Sequence, residues 1–231
     1  MAATFGTIVN VTPGTGANTG ASPSITTPVT NPVVIVSISL DSLTATVSSL
    51  TITGFGGTAS EVLNVRGDAG GNAFTSVWKI VAPAANTAGT VQGNLSASVP
   101  FQMTVKTFSG AHQTDPSPIA DAVSDGTSGS SVVLTPANLT ANDATHGSAG
   151  NTNNNPTGIN PNQRFINGTT TINHQDGDNT GTTGVTVTHD AASTHARVAV
   201  RVVAAAGGVT IEYVAPAAMS AGGKMIGLRY V

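Results

Sequence analysis

No stretch of this chain sustains a helical period, because Gly, Pro and Asn break it every few residues. Between the breaks stand short runs such as VVIVSISL (33–40), FQMTVKTF (101–108) and RVAVRVV (197–203). Runs this short and this rich in β-branched residues bury their side chains only as strands. Many of them, spaced about ten residues apart with Gly/Pro/Asn between, predict an all-β antiparallel β-sandwich, with a jelly roll as the leading topology. The exceptions are single helical turns expected in NVRGDAGG or APAAMSAGG.

Strand by strand, ATVSSLTITG sets Leu50 and Ile52 against Thr51 and Thr53, and NAFTSVWKIVAP puts Phe74, Ser76, Trp78 and Ile80 on one parity. Pro83 ends that run because it has no N–H for a ladder. In FQMTVKTFSG, Phe101, Met103 and Val105 share one face and Gln102, Thr104 and Lys106 the other. A parity slip at Thr107–Phe108 predicts a bulge or a strand end there. SSVVLTP ends at Pro136, GVTVTH follows later, and in RVAVRVV the residues Val198, Val200 and Val202 alternate with Arg197, Ala199 and Arg201.

Three divisions follow. Residues 1–32 form an extended N-terminal arm or strand-and-loop leader, 33–206 the sandwich, and 207–231 a C-terminal strand extension built on VTIEYV and KMIGLRYV. That strand pair either adds to the sheet edge of another chain or completes its own sheet. The segment ANDATHGSAGNTNNNPTGINP (141–161) has almost nothing apolar and predicts a long surface loop. VAPAANTAG (81–89) and VAPAAMSAG (214–222) each follow an alternating run. They read either as two strand-to-strand corners, with Pro ending a ladder, or as chance turns in an Ala-rich chain.

The chemistry written here is sparse. Cysteine is absent, which excludes thiol nucleophiles and thiolate metal sites, and there is no Gly-x-Ser-x-Gly elbow. The densest polar cluster is His174, Asp176, Asp178 and His189. With Asn179 and Gly181 it is like the first half of a calcium loop, but Val187 stands where the bidentate Glu belongs, so a solvated hairpin turn is the expectation. His189 and His195 flank a turn and are able to meet, yet no third zinc ligand accompanies them, and His146 stands in the predicted loop. His112 and Asp115 make a hydrogen-bonded loop corner. Gly14 and Gly16 lack the spacing of a phosphate cradle. Asn10, Asn94, Asn138 and Asn167 head Asn-x-Ser/Thr tripeptides, Arg66-Gly67-Asp68 matches an integrin tripeptide, and Phe74 with Trp78 could stack on a sugar. All are more simply explained by composition or core packing. No catalytic residue, cofactor or metal site is therefore expected, and no enzyme.

Charge narrows the partners. Only 8% of residues are charged and the net charge is -3, with no basic run, so neither nucleic acid nor membrane is expected as a partner. MAATFGTIVN has neither the basic region nor the apolar core of a secretory signal. A Thr/Asn/Gly-rich β chain without such a signal suits a virus particle released by lysis.

The segment SVWKIVAPAANTAGTVQGNLSASVPFQMTVKTFSGAHQTDPSPI resembles a module recurring in phage virion proteins and bacterial surface proteins. The resemblance runs through the corner formed by Phe108, Ser109, Gly110, Gln113, Thr114 and Pro116 and extends over Val33 to Val203. It implies a jelly-roll-like sandwich with no catalytic residues to transfer. The expectation is a capsid decoration or cement protein, a homo-oligomer on the outer capsid surface whose partner is the major capsid protein. The alternative is a tail-fibre or secreted or cell-surface carbohydrate-binding module, with 141–161 and His174–Asp178 facing a glycan.

Overall fold

The computed structural model describes residues 1–12, 17–67, 72–127, 129–152, 156–167, 171–189 and 195–206. Seventeen strands run in chain order: β1 (Thr4–Val11), β2 (Ala17–Ala21), β3 (Ile25–Thr26), β4 (Val33–Asp41), β5 (Val47–Thr53), β6 (Thr58–Arg66), β7 (Ala73–Val81), β8 (Ala88–Val99), β9 (Phe101–Ser109), β10 (Val123–Asp125), β11 (Ser131–Leu134), β12 (Ala144–Asn151), β13 (Pro156–Asn160), β14 (Asn162–Asn167), β15 (Asn173–Thr180), β16 (Val185–His189) and β17 (His195–Val202). A single 3-10 turn at Ile119–Asp121 is the helical element among the described residues. The turn expected in NVRGDAGG is instead strand as far as Arg66, the end of β6.

All the pairings are antiparallel, and they form four sheets. The sheet β1-β9-β4-β7-β6 and the sheet β10-β17-β12-β15-β14 lie face to face in the middle. Outside the first lies a sheet centred on the long β8, flanked by β5 on one side and by β2 and β3 on the other. Outside the second lies β11-β16-β13. The antiparallel β-sandwich class is thus present, elaborated to four layers.

Because both middle sheets are covered on both faces, their inner strands β4, β7, β9, β12, β15 and β17 have almost no solvent side. β4 sends Val34, Val36, Ile38 and Leu40 into the core beneath β8, where they meet Val91, Leu95, Phe55 and Trp78. Its alternate residues Val33 and Ile35 pack with Val77, Phe108, Val198, Val200 and Val202 between the two middle sheets. A smaller core of Leu134, Ala149, Ile159, Val185, Val187 and Ala199 joins the fourth sheet, β11-β16-β13, to the middle sheet that holds β12 and β17. Phe74 and Trp78 lie in the first core, as core packing predicts.

The two-sided cover explains one sequence reading and corrects another. The irregularity expected at Thr107–Phe108 lies in the pairing of β9 with β1, which shifts register between Phe5 and Ile8 opposite Phe108 and Lys106, while β9 itself runs on to Ser109. Phe108 keeps the parity of Lys106 and is apolar because that face meets a second apolar core. The segment 141–161 is not a surface loop: β12 is buried along its whole length, and β13 follows it. β12 carries small residues because two sheets close on it. Gly147 and Gly177 are cross-strand partners. A Cβ on Gly147 would come within 2.5 Å of Val185 Cγ2, and one on Gly177 within 2.6 Å of Ile159 Cγ2. The pair is a window into which the fourth sheet seats its side chains.

The N-terminal segment is extended, as expected, but it is no free arm. β1 forms the edge beside β9, Ala3 is buried, and β2 and β3 pair with β8. The corner at VAPAA 81–85 does carry the chain from β7 to β8. Ala84 N–H donates to Phe55 O at 2.7 Å, and Thr27 Oγ1 donates to Ala84 O at 2.5 Å. The second VAPAA stretch and the terminal strand pair at 207–231 lie outside the described residues. The Phe-Ser-Gly corner turns at Gly110, whose φ is 67° and where a Cβ would sit 2.3 Å from Ala2 O. Gln113 there donates to Pro32 O at 3.1 Å and to Ala111 O at 2.9 Å.

Alanine at Gly147 or Gly177 should lower stability by roughly 1–3 kcal/mol through overpacking. Because the two glycines share one window, the double variant should depart from additivity. Denaturant unfolding of the three variants measures both.

Candidate functional site

The chemistry-bearing side chains of the sequence converge inside the molecule, between the two middle sheets. β4 contributes Ser37 and Ser39, β7 Thr75, and β9 Gln102, Thr104 and Lys106. From the opposite sheet β12 brings His146, and β15 brings His174 and Asp176. All nine are buried, Gln102 at 1% exposure and the rest at 0%.

At the centre, Lys106 Nζ pairs with Asp176 Oδ1 and donates to Gly177 O at 2.9 Å and to His146 Nδ1 at 3.2 Å. His146 Nδ1 also stands 3.3 Å from Asp176 Oδ1, and its Nε2 lies 2.7 Å from Ser37 Oγ. Lys106 can only donate as an ammonium, so His146 Nδ1 accepts and Nε2 carries the proton toward Ser37. Thr104 Oγ1 donates to Asp176 Oδ2. His174 is held by Ser39 Oγ at 2.7 Å on Nδ1 and by Thr104 Oγ1 at 3.3 Å on Nε2, and Ser39 in turn meets Thr75 Oγ1 at 3.1 Å.

Burial decides the protonation here. Loss of water pushes His146 well below its usual 6.5 and His174 down to about 3, and the neighbouring Lys106 charge pushes both the same way. The same desolvation lowers Lys106 and raises Asp176, while the attraction between these two opposes it. The site is therefore a dry cluster of neutral imidazoles around one ion pair, closed to any substrate from solvent.

β15 is thus a buried strand of the sheet interior, which corrects the solvated hairpin turn expected for His174–Asp178. The chain turns later, at Gly181, where φ is 87°. Asp178 pairs with Arg164, whose guanidinium carbon lies 4.1 Å over the Phe5 ring. Asn179 binds Thr183 Oγ1 and Gly184 O within the turn. Val187 is in the strand β16, as expected. Among the described residues no group of three or more His, Asp or Glu is placed to hold a metal ion.

His189 and His195 do meet. They stack with ring centroids 3.7 Å apart, Gln175 Nε2 lies 3.1 Å from His189 Nε2, and Asn151 contacts His195 Nδ1. Burial, reinforced by His195 and Arg197, holds His189 at about 3. His112 Nδ1 accepts from Asp115 N–H at 3.1 Å, the loop corner expected of them, while Asp115 pairs with Lys79. Arg66 is turned inward onto Ser42 O and Ala45 O and over Phe74, so it is not presented as an integrin ligand; Asp68 lies outside the described residues. Asn94 and Asn138 bind neighbouring side chains, Ser49 and Thr51 for the first and Asp121 for the second. Gly14 and Gly16 lie outside the described residues.

Sequence reasoning missed Ser37, Ser39, Thr75 and Thr104 as members of the cluster, and it missed the internal ion pairs. Arg201 bridges Asp121 and Asp143 at 2.8 Å each, and Arg197 reaches Asp125 at 2.7 Å. Burial alone would raise Asp143, but hydrogen bonds from Ala204, Thr140 and Arg201 hold it below the usual carboxylate range. Lys79, Lys106, Arg66, Arg164, Arg197 and Arg201 are the Lys and Arg of the described residues. Each is tied to a carboxylate or a carbonyl of the protein itself.

No family model matches the chain, and neither a curated protein nor a solved structure does. No helix among the described residues is long and apolar enough to cross a membrane.

Two outcomes are expected. Asp176→Ala, which strands the Lys106 ammonium in the interior, should cost about 3–5 kcal/mol, whereas the apolar pair Lys106→Met/Asp176→Leu should recover most of that loss. Stability should also fall with acid. Between their depressed folded values and 6.5, His146, His174 and His189 bind fewer protons folded than unfolded, so folding weakens as pH drops through that window. Asp176, raised in the folded state, acts in the opposite sense but is one group against three. Each net proton is worth about 1.4 kcal/mol per pH unit. Denaturant midpoints taken from about pH 7 down to about pH 5 should decline, and a flat profile would mean that the imidazoles titrate normally.

Proposed function

We propose that the chain is a structural protein of a bacteriophage virion, a decoration or cement protein that binds the outer shell and braces neighbouring capsid subunits. The observation that carries this reading is the disposition of its charged groups. The cations of the described residues are all engaged internally, and the cluster that could do acid–base chemistry is sealed between two sheets. What faces outward is mostly Thr, Ser, Asn and Gly. Two surface depressions, of about 430 and 300 Å³, are lined by methyls, hydroxyls and backbone without a titratable side chain. A body of this kind works by being rigid and by binding. A protein that binds only the assembled shell stabilises it by mass action, multiplied by the number of copies.

The resemblance of the 76–119 segment to virion modules points the same way, and a homo-oligomer with the major capsid protein as partner follows from it. The alternative, a tail-fibre or surface carbohydrate-binding module, has less support, because β12 and His174–Asp178, most of the residues assigned to it, are interior.

Quantitative mass spectrometry of purified particles, normalised to the major capsid protein, tests the proposal. Copy numbers in fixed proportion to the capsid subunits are expected. A few copies per particle would move the protein to the tail or a vertex, and absence from particles would overturn the virion reading. Removing residues 207–231 should reduce oligomerisation or occupancy on the shell, and unchanged occupancy would deny that segment its attachment role.

A further inference from the structure

The centre of the buried cluster holds an amine, a carboxyl group and an imidazole in contact with both. Lys106 comes from β9 in one middle sheet and Asp176 from β15 in the other. His146 Nδ1 lies 3.2 Å from Lys106 Nζ and 3.3 Å from Asp176 Oδ1. Thr104 Oγ1 donates to the other carboxyl oxygen, Oδ2, and Gly177 O accepts from Nζ at 2.9 Å. All four side chains are 0% exposed.

The geometry points to an intramolecular isopeptide bond between Lys106 Nζ and Asp176 Cγ, formed within the folded chain and joining the two middle sheets covalently. This does not rest on the virion reading. The reaction is a condensation that needs no oxidant and no other reactant. A proton moves along the contact from the ammonium to the carboxylate, leaving a neutral amine and a neutral acid, the two forms that a dry site favours. The Nζ lone pair attacks Cγ, and the electrons of the Cγ–Oδ2 double bond move onto Oδ2, where the Thr104 hydroxyl stabilises the developing oxyanion. His146 Nδ1, which carries no proton while Nε2 donates to Ser37, takes one proton from Nζ and passes it to the Oδ1 hydroxyl. Oδ1 leaves as water, the Cγ–Oδ2 double bond re-forms, and the remaining Nζ–H donates to Gly177 O. One C–N bond is made, one C–O bond is broken, and one water is released.

Four further features favour the reaction. Lys106 is shifted down and Asp176 up, the directions that supply the reacting forms. The nearby charges, Arg164 and Asp178, are paired with each other and leave the reacting groups without a competing counter-ion. Exclusion of bulk water removes the nucleophile that would reverse the reaction. The amide also replaces two buried charges with a neutral group already supplied with a donor and an acceptor.

Intact mass spectrometry of the denatured full-length chain decides the matter. The expected mass is lower than that of the sequence by one water, about 18 Da. After proteolysis, the peptide containing Lys106 should be joined to the peptide containing Asp176, with no tryptic cleavage after Lys106. Lys106→Arg and Asp176→Ala should each restore the full sequence mass, and the wild-type reading stands whether or not those variants fold. A wild-type mass equal to that of the sequence would overturn the inference. So would a water loss confined to the Asp176–Gly177 peptide, which is the signature of a succinimide formed without Lys106.

Discussion

The structure depends on the meeting of two sheets that are each covered on both faces. An inner strand of such a sheet has nowhere to send a polar side chain except into another layer, so Ser37, Ser39, Thr104 and Lys106 of β4 and β9 take their partners from β12 and β15 across the interface. The Lys106–Asp176 contact is the keystone of that arrangement. Lys106 would be a prohibitive buried charge without Asp176, and His146, His174, Ser37, Ser39 and Thr104 complete the donors and acceptors around the pair. A buried ion pair is seldom more stabilising than a well-packed apolar replacement. Its value here is specificity. A one-residue slip in any of the four strands would turn the polar set to the opposite face, against Val91 and Phe55 or against Val185 and Ile159, where no partner waits.

The outer sheets attach by different physics. β8 and its neighbours lie on a continuous apolar face that would tolerate small adjustments of volume. The fourth sheet is held more locally, by Val185 and Ile159 seated against the Gly147–Gly177 pair and by the Gln175 and His189 contact at one end. Polar pairing therefore fixes how the two middle sheets stack, and glycine-made space fixes how closely the fourth can approach. The ion pairs of Arg201 and Arg197 tie the connections around 116–143 back onto β17, so that the longest crossing between the strands is anchored by charge as well as backbone.

This division explains which elements could be read from the sequence. β4, β5, β7, β9, β16 and β17 were legible because each carries an alternating apolar face, and an apolar face is a local property. β12 and β15 were not. ATHGSAGN and NHQDGDNT look like loop sequences, since their burial is compensated by hydroxyls and an amine on β4 and β9, 71 to 135 residues away. The sole local hint was Lys106 itself, on the polar parity of a strand whose opposite face reads as core. Phe108 ends that polar parity with an aromatic ring because the interface changes there from polar to apolar, beside the register shift of β1. The meeting of His189 and His195 was legible because they lie close together in the sequence. The meeting of His146, His174 and Lys106 needed the stacking of sheets, which no short window encodes.

Holding the charges inside has a consequence for how such a body meets other molecules. With its described cations paired internally, the surface has little long-range field, so encounters proceed without electrostatic steering and association lies in the range of ordinary docking rather than the fast, salt-sensitive regime. Recognition must then come from shape, from hydroxyl and amide hydrogen bonds, and from the open edges of strands such as β1, β6 and β14. Each of these is short in range and modest in strength. Residence on a partner would therefore be gained by repetition, with many identical weak contacts engaged at once. A periodic surface supplies that repetition, and a rigid four-layer body keeps the contacts in register so that their effects combine.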